Sequence, residues 1–191
     1  MVIAFRDHHF KPMRVMVSEV ICLRKNWPAL ELPASFRRFV DEAEIRSDFV
    51  DEPMFVASDY QLAYAALTTL PVGRICEWGC GLGVVAGMAS LLGWEAVGIE
   101  QNEELAGMAR QLHADFGLWT EIVDGDLFYT KEPAELYYAF MWPDLVEPMQ
   151  EYFALHAPPG ARLILHDATG RMELFMRKAE ADTVCEEVSE L

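Results

Sequence analysis

Between residues 74 and 92 the chain reads as an apolar strand, a loop with glycine at every second position and an apolar helix, and few folds accommodate that order. The strand is Arg74-Ile-Cys-Glu-Trp78, the loop Gly79-Cys-Gly81-Leu-Gly83, and the helix Val84–Leu92, which Gly93 stops. Glycines let the backbone turn sharply and bring its amides against a ligand with no Cβ in the way. The helix that follows aims its positive amino end at the same spot.

The alternation continues on both sides. Ser58 is placed to cap a helix over Asp59–Leu70, ended by Pro71 and Gly73. Beyond the loop, strands are expected over Glu95–Glu100, Thr120–Asp124, Glu135–Phe140 and Ala161–His166. Helices are expected over Glu103–Phe116 and Leu145–Ala157, with Gly117 and Pro158-Pro-Gly160 as the breaks. Apolar strands alternating with helices across short connections predict an α/β fold, doubly wound, with a mostly parallel sheet and helices on both faces.

The ends are less regular. Residues 1–52 read as an N-terminal extension and 53–191 as the main domain. In the extension, Arg14–Leu23 reads as a strand with Val2–Phe5 as a hairpin partner, and Pro33–Ile45 as a helix that proline can open. At the other end, Met172–Met176 and Thr183–Val188 are expected to form an antiparallel hairpin closing the sheet. An acidic helix over Arg177–Leu191 is the alternative.

Hydrophobic residues make up 52% of the 191, enough for one sizeable core. No apolar run approaches the roughly 20 residues that span a bilayer, and the N-terminus lacks a signal-peptide pattern, so a cytoplasmic protein is expected, without membrane contact. The cysteines Cys22, Cys76, Cys80 and Cys185 make no metal-binding spacing and are expected as reduced thiols, with no metal site. The net charge of −16 repels a phosphate backbone, and Arg37–Arg38 and Arg177–Lys178 are isolated basic pairs in acidic surroundings. No nucleic-acid partner is expected. A small-molecule or protein substrate suits the field better, with a homodimer as an option.

Two details separate the loop from a dinucleotide site. Val84 stands where the dinucleotide fingerprint has its third glycine. Glu77, two residues before the first glycine, would repel a pyrophosphate but suits a ligand with a cationic amino group and a sulfonium. Glu100 ends the second strand after the glycines, where a carboxylate can accept both ribose hydroxyls. Facing a cleft, it is expected to contribute little to folding. Asp126, in Asp124-Gly-Asp-Leu127, is placed to accept from an exocyclic adenine amine, although the same sequence also makes an ordinary turn.

Glu77–Gly83, Glu100, Gly125-Asp126 and Pro159-Gly160-Ala-Arg-Leu163 resemble, in order and at usual distances, the successive motifs of class I S-adenosylmethionine-dependent methyltransferases. The resemblance covers about Phe55 to Asp167. It implies a Rossmann-like methyltransferase fold of the seven-stranded type, with S-adenosylmethionine lying across the carboxyl ends of the strands. A narrower stretch set, Phe55–Gln61, Gly98–Glu100, Gly125–Phe128 and Tyr138–Pro143, is similar to small protein-lysine methyltransferases related to the ATP synthase c-subunit enzyme. In that group the segment matching Asp59–Gln61 reaches over the cofactor. The cofactor site expected is therefore Glu77, Gly79, Cys80, Gly81, Gly83, Glu100, Gln101, Asp126 and Leu127, with Gln61 above.

Methyl transfer needs in-line placement of a nucleophile and often little more. The Asn/Asp-Pro-Pro-Tyr motif of amide and adenine N-methyltransferases is absent at the end of Glu135–Phe140. Tyr138, Trp142 and Asp144 are candidates to border the acceptor pocket. His166 and Asp167 are candidates for a general base. The function expected is methyl transfer to a small molecule or protein side chain. A non-catalytic module with this fold is the alternative, and a dehydrogenase ranks third.

Overall fold

A computed structural model describes residues 20–50 and 56–178. The chain begins with strand β1 (Val20–Lys25) and helix α1 (Ala34–Ser47), then helix α2 (Tyr60–Thr69). The alternation follows: β2 (Arg74–Trp78), α3 (Val84–Leu91), β3 (Glu95–Glu100), α4 (Glu103–Asp115) and β4 (Glu121–Asp124). Then come β5 (Leu136–Met141), a single 3-10 turn (Pro143–Leu145), α5 (Val146–His156), β6 (Arg162–Asp167) and β7 (Met172–Arg177).

The seven strands form one sheet in the order β1-β7-β6-β5-β2-β3-β4. Strands β6, β5, β2, β3 and β4 are parallel, and β7 runs antiparallel to both β6 and β1. Alternation along each strand sorts the core into two layers. Ile75 and Tyr138 face α1, α2, α3 and α4, whereas Cys76, Trp78, Tyr137 and Ala139 face α5.

Helix α1 docks through Phe36, Phe39, Val40 and Ala43, spaced three or four apart on one stripe. Phe39 seats directly on Gly87 of α3, a position with no room for a Cβ. The strand and helix that precede the glycine loop are thus built into the same sheet and core as the rest.

The structure revises three boundary expectations. Asp59, not Ser58, caps α2: its Oδ1 accepts the Gln61 and Leu62 amides at 3.0 and 3.1 Å. A carboxylate at the cap also favours the helix dipole. The hairpin that closes the sheet pairs β7 with β6, the adjacent strand in the chain. The other edge of β7 is taken by β1. Thr183–Val188 lies outside the described residues. Strand Arg14–Leu23 is found as Val20–Lys25, with residues before Val20 also outside. The tail helix alternative, Val2–Phe5 and Cys185 fall outside as well. Cys22, Cys76 and Cys80 are free thiols. Among the described residues no helix is long and apolar enough to cross a membrane.

Candidate active site

The five parallel strands end along one edge, and the winding direction reverses between β5 and β2, which opens a crevice there. Gly79, Gly81 and Gly83 lie in that crevice with φ of 65°, 55° and 68°. All three are left-handed, which explains glycine at every second position. The loop is stitched down by the Cys80 amide to the Ile99 carbonyl at 2.9 Å and the Gly83 amide to the Cys80 carbonyl at 2.7 Å. Cys80 is buried against Gly98, where an added Cβ would come within 2.7 Å of its sulfur.

Glu77 points from β2 under the first turn of α3, where its Oε2 accepts the Ala86 amide at 2.7 Å. It supplies the cap that Gly83 has no side chain to give. Burial pushes its carboxyl up to about 8, although the Ala86 and Val85 amides pull it down. Glu100, fully buried, ties two turns together: Oε2 accepts the Gly81 amide at 2.8 Å and Oε1 the Asn102 amide at 2.8 Å. Burial raises its pKa, against those same amides. This corrects the expectation that Glu100 contributes little to folding.

The remaining expected cofactor residues lie after β3, after β4 and in the first turn of α2. Asp126 Oδ1 accepts the Phe128 amide at 2.8 Å, so its turn is the self-bonded kind that Asp-Gly-Asp favours. Leu127 is buried and its carbonyl accepts the Tyr152 hydroxyl at 2.8 Å. Gln101 is exposed beside Glu100, and Gln61 is exposed in the first turn of α2.

Of the expected catalytic residues, Tyr138 and His166 come together and the others do not join them. The Tyr138 hydroxyl is 3.0 Å from His166 Nδ1 and 3.1 Å from Ser58 Oγ. Burial keeps Tyr138 a neutral phenol and lowers the His166 pKa, the latter opposed by Asp59 and Asp167. One proton assignment gives His166 a role: Nδ1–H donates to the Tyr138 oxygen, whose own hydrogen goes to Ser58, leaving Nε2 as a base.

Asp167 is consumed by the β6–β7 turn. Its Oδ1 accepts the Thr169 and Arg171 amides at 2.9 and 3.2 Å and Oδ2 accepts Arg171 Nε at 2.9 Å. Burial alone would raise its pKa, but hydrogen bonds from Thr169 and Arg171 outweigh it and hold the carboxyl below its ordinary value. An ionised, fully bonded carboxylate is a poor base. Trp142 and Asp144 sit exposed on the rim beyond β5.

Sequence reasoning missed two residues of the site. Ser58 ends the Tyr138 chain, a role no local pattern announces. His113 of α4 is buried behind the loop, and a Cβ on Gly83 would lie 2.9 Å from its Nε2. It follows the apolar stripe Leu105, Ala109, Leu112, which was a legible sign of burial. Burial lowers its pKa to about 4, against the pull of the Leu82 and Gly83 backbone, yet neither ring nitrogen closes a hydrogen bond.

No family model and no curated protein sequence matches the chain. Solved structures do. A methyltransferase from Geobacter sulfurreducens is 16% identical, with 78% of this chain and 92% of that one covered and a TM-score of 0.56. An RNA methyltransferase from Salinibacter ruber, in complex with S-adenosyl-L-homocysteine, is 18% identical, covering 84% of this chain and 100% of that one at a TM-score of 0.51. Against TehB from Haemophilus influenzae, 12% identical, 61% of each chain is covered at a TM-score of 0.49, so the chain spans under two thirds of that protein. The likeness is one of fold: the chain has the Rossmann-like fold of class I methyltransferases.

Proposed function

We propose that the chain is an S-adenosylmethionine-dependent methyltransferase acting on a small molecule or a protein side chain. The observation that carries the reading is the loop of three left-handed glycines set between two buried carboxylates, Glu77 and Glu100. No Lys or Arg occurs in residues 77–83, 100–104 or 124–127, so the crevice offers acceptors where a pyrophosphate would need donors. That acceptor set suits a cationic amino acid joined to a ribose better than a dinucleotide.

In this reading Gly79, Gly81 and Gly83 admit the ligand to the backbone, and Glu100 accepts the ribose hydroxyls. Glu77 braces the first turn of α3 beneath, and Asp126, Leu127, Cys80, Gln101 and Gln61 enclose the rest. When bound, the cofactor supplies an electrophilic methyl group. The chain's own part is to position the acceptor, exclude water and take a proton at His166 Nε2, with Tyr138 and Ser58 fixing the imidazole. The net charge of −16 weighs against the RNA substrate of the Salinibacter ruber protein.

Titration calorimetry with S-adenosylmethionine, S-adenosylhomocysteine and NADH tests binding, and cell extract incubated with methyl-labelled S-adenosylmethionine tests transfer. Heat from the first two ligands and a labelled acceptor are expected. Binding with no transfer to any extract component would make the chain a cofactor-binding module instead. NADH binding alone would overturn the reading.

A further inference from the structure

Building on the proposed methyl-transfer site, we infer that its acceptor carries a protonated amine, admitted through an acidic cleft between α1 and α2 and recognised by Asp41 and Glu44. The cleft has a volume of about 660 Å³, within the range of sites that take a small molecule or a side chain. Its walls carry the carboxylates of Glu31, Asp41, Glu44 and Asp59 against the single guanidinium of Arg37. That guanidinium is already engaged, donating to Glu31 Oε1 at 2.7 Å and to the Leu32 carbonyl at 3.1 Å. Asp59 is occupied as the cap of α2. Asp41 and Glu44 are left: three apart on α1, they share a face and have no partner among the described residues.

A row of acids on a convex helix would be an ordinary solvated surface. Here it lines a concavity with two further features. Tyr60 lines the same cleft, and its hydroxyl has no partner among the described residues. Ser58, Asp59 and Tyr60 bring the cleft to the amino end of α2. A tyrosine ring and oxygen flanked by carboxylates is a receptor for an ammonium group. Ser58 also lines the cleft and hydrogen-bonds Tyr138, which in turn meets His166. Carboxylates thus line the cleft, and from Ser58 on its wall a hydrogen-bonded chain leads through Tyr138 to His166. A cation guided by the first would be delivered to the second, where an amine must shed its proton before it can act as a nucleophile.

The test uses the full chain and two probes, tetralysine peptide and spermidine, each titrated by calorimetry at low salt. The D41N/E44Q variant is compared with E147Q/E151Q, which removes the same charge from α5 on the other face of the sheet. The cleft variant should bind the probes at least about fivefold more weakly, the magnitude of two partly exposed ion pairs. The α5 variant should change less than twofold, and S-adenosylmethionine binding should be unchanged in both. Tetralysine binding alone would point to a lysine side chain, and equal binding of spermidine to a free polyamine. Equal weakening by both variants would show only attraction to net charge and overturn the inference, as would the absence of probe binding to the wild type. Failure of the cofactor reading would show separately, as a wild type that binds the probes but not S-adenosylmethionine.

Discussion

Glu100 at the end of β3 accepts the amide hydrogen of Gly81 at 2.8 Å, so the residue that would hold the ribose also holds the loop that would face it. Glu100→Ala therefore strands the buried amide of Gly81, at about 1–3 kcal/mol, and the part-buried amide of Asn102, at less. Urea unfolding should show a loss of about 2–4 kcal/mol, and calorimetry a cofactor affinity lower by about tenfold to a few hundredfold. Glu100→Asp should lose less of both. A variant as stable as the wild type would contradict the strut.

Gly81→Val places a β-branched side chain at a φ of 55°. Left-handed backbone at such a residue costs on the order of 1–3 kcal/mol and is relieved only if the loop moves. The variant should fold, with unchanged far-ultraviolet circular dichroism, and lose cofactor binding. Gly93→Ala is the control: it also has positive φ, at 88°, but nothing lies within 4 Å of an added Cβ, so only stability should fall. Equal loss of cofactor binding in both would mean the loop is not the site.

Glu77 titrates near 8 when folded because it is buried, against roughly 4 for an ordinary carboxyl. Between those values the folded protein holds a proton that the unfolded chain has released. The contribution of Glu77 is therefore complete below about pH 4 and declines as pH rises through 8. Glu77→Gln keeps an oxygen for the Ala86 amide and removes the titration. The urea midpoint of the wild type should fall relative to that of the variant from pH 5 to pH 9. Parallel midpoints across the range would contradict a raised carboxyl.

Much of this was legible in the sequence, and the parts that were not share a cause. The pattern places β2, α3, β3 and α4 to within a residue or two, because the first three are apolar runs buried nearly throughout, α4 buries one stripe, and glycines or caps mark the ends. The loop is equally plain, since only glycine takes three left-handed positions in five residues. The misreadings concern partners far away in sequence or hidden in a turn. Nothing local to Asp167 says that Thr169 and Arg171 will saturate it, and nothing near Ser58 says that Tyr138 will reach it.

His113 supplies a further prediction. Its two ring nitrogens are buried without hydrogen bonds, beside Phe39 at 5.5 Å between ring centroids. An unpaired buried polar group costs about 1–3 kcal/mol, so His113→Leu should be neutral to stabilising by about 1 kcal/mol at pH 7. Because its folded pKa is lowered to about 4, the wild type should also lose stability as pH falls from about 6.5 toward 4, a loss the variant escapes. A destabilised variant that also binds cofactor weakly would instead make His113 a brace for the glycine loop.

The pairing of Val20 with Arg177 joins the first described strand to the last. During synthesis β1 emerges early and has no sheet to enter until nearly all of the remaining strands have been made and β7 has turned back along β6. The β1–β7 pairing is a clasp between distant parts of the chain, and closing it costs the entropy of the long loop between them. Until it shuts, β7 presents a bare edge to any other extended chain. A nascent chain stalled before β7 would carry β1 as an unclaimed strand, and a chain trimmed of β1 would expose β7 for good. Both are species that a cell's quality control can recognise, and neither retains the complete seven-stranded sheet.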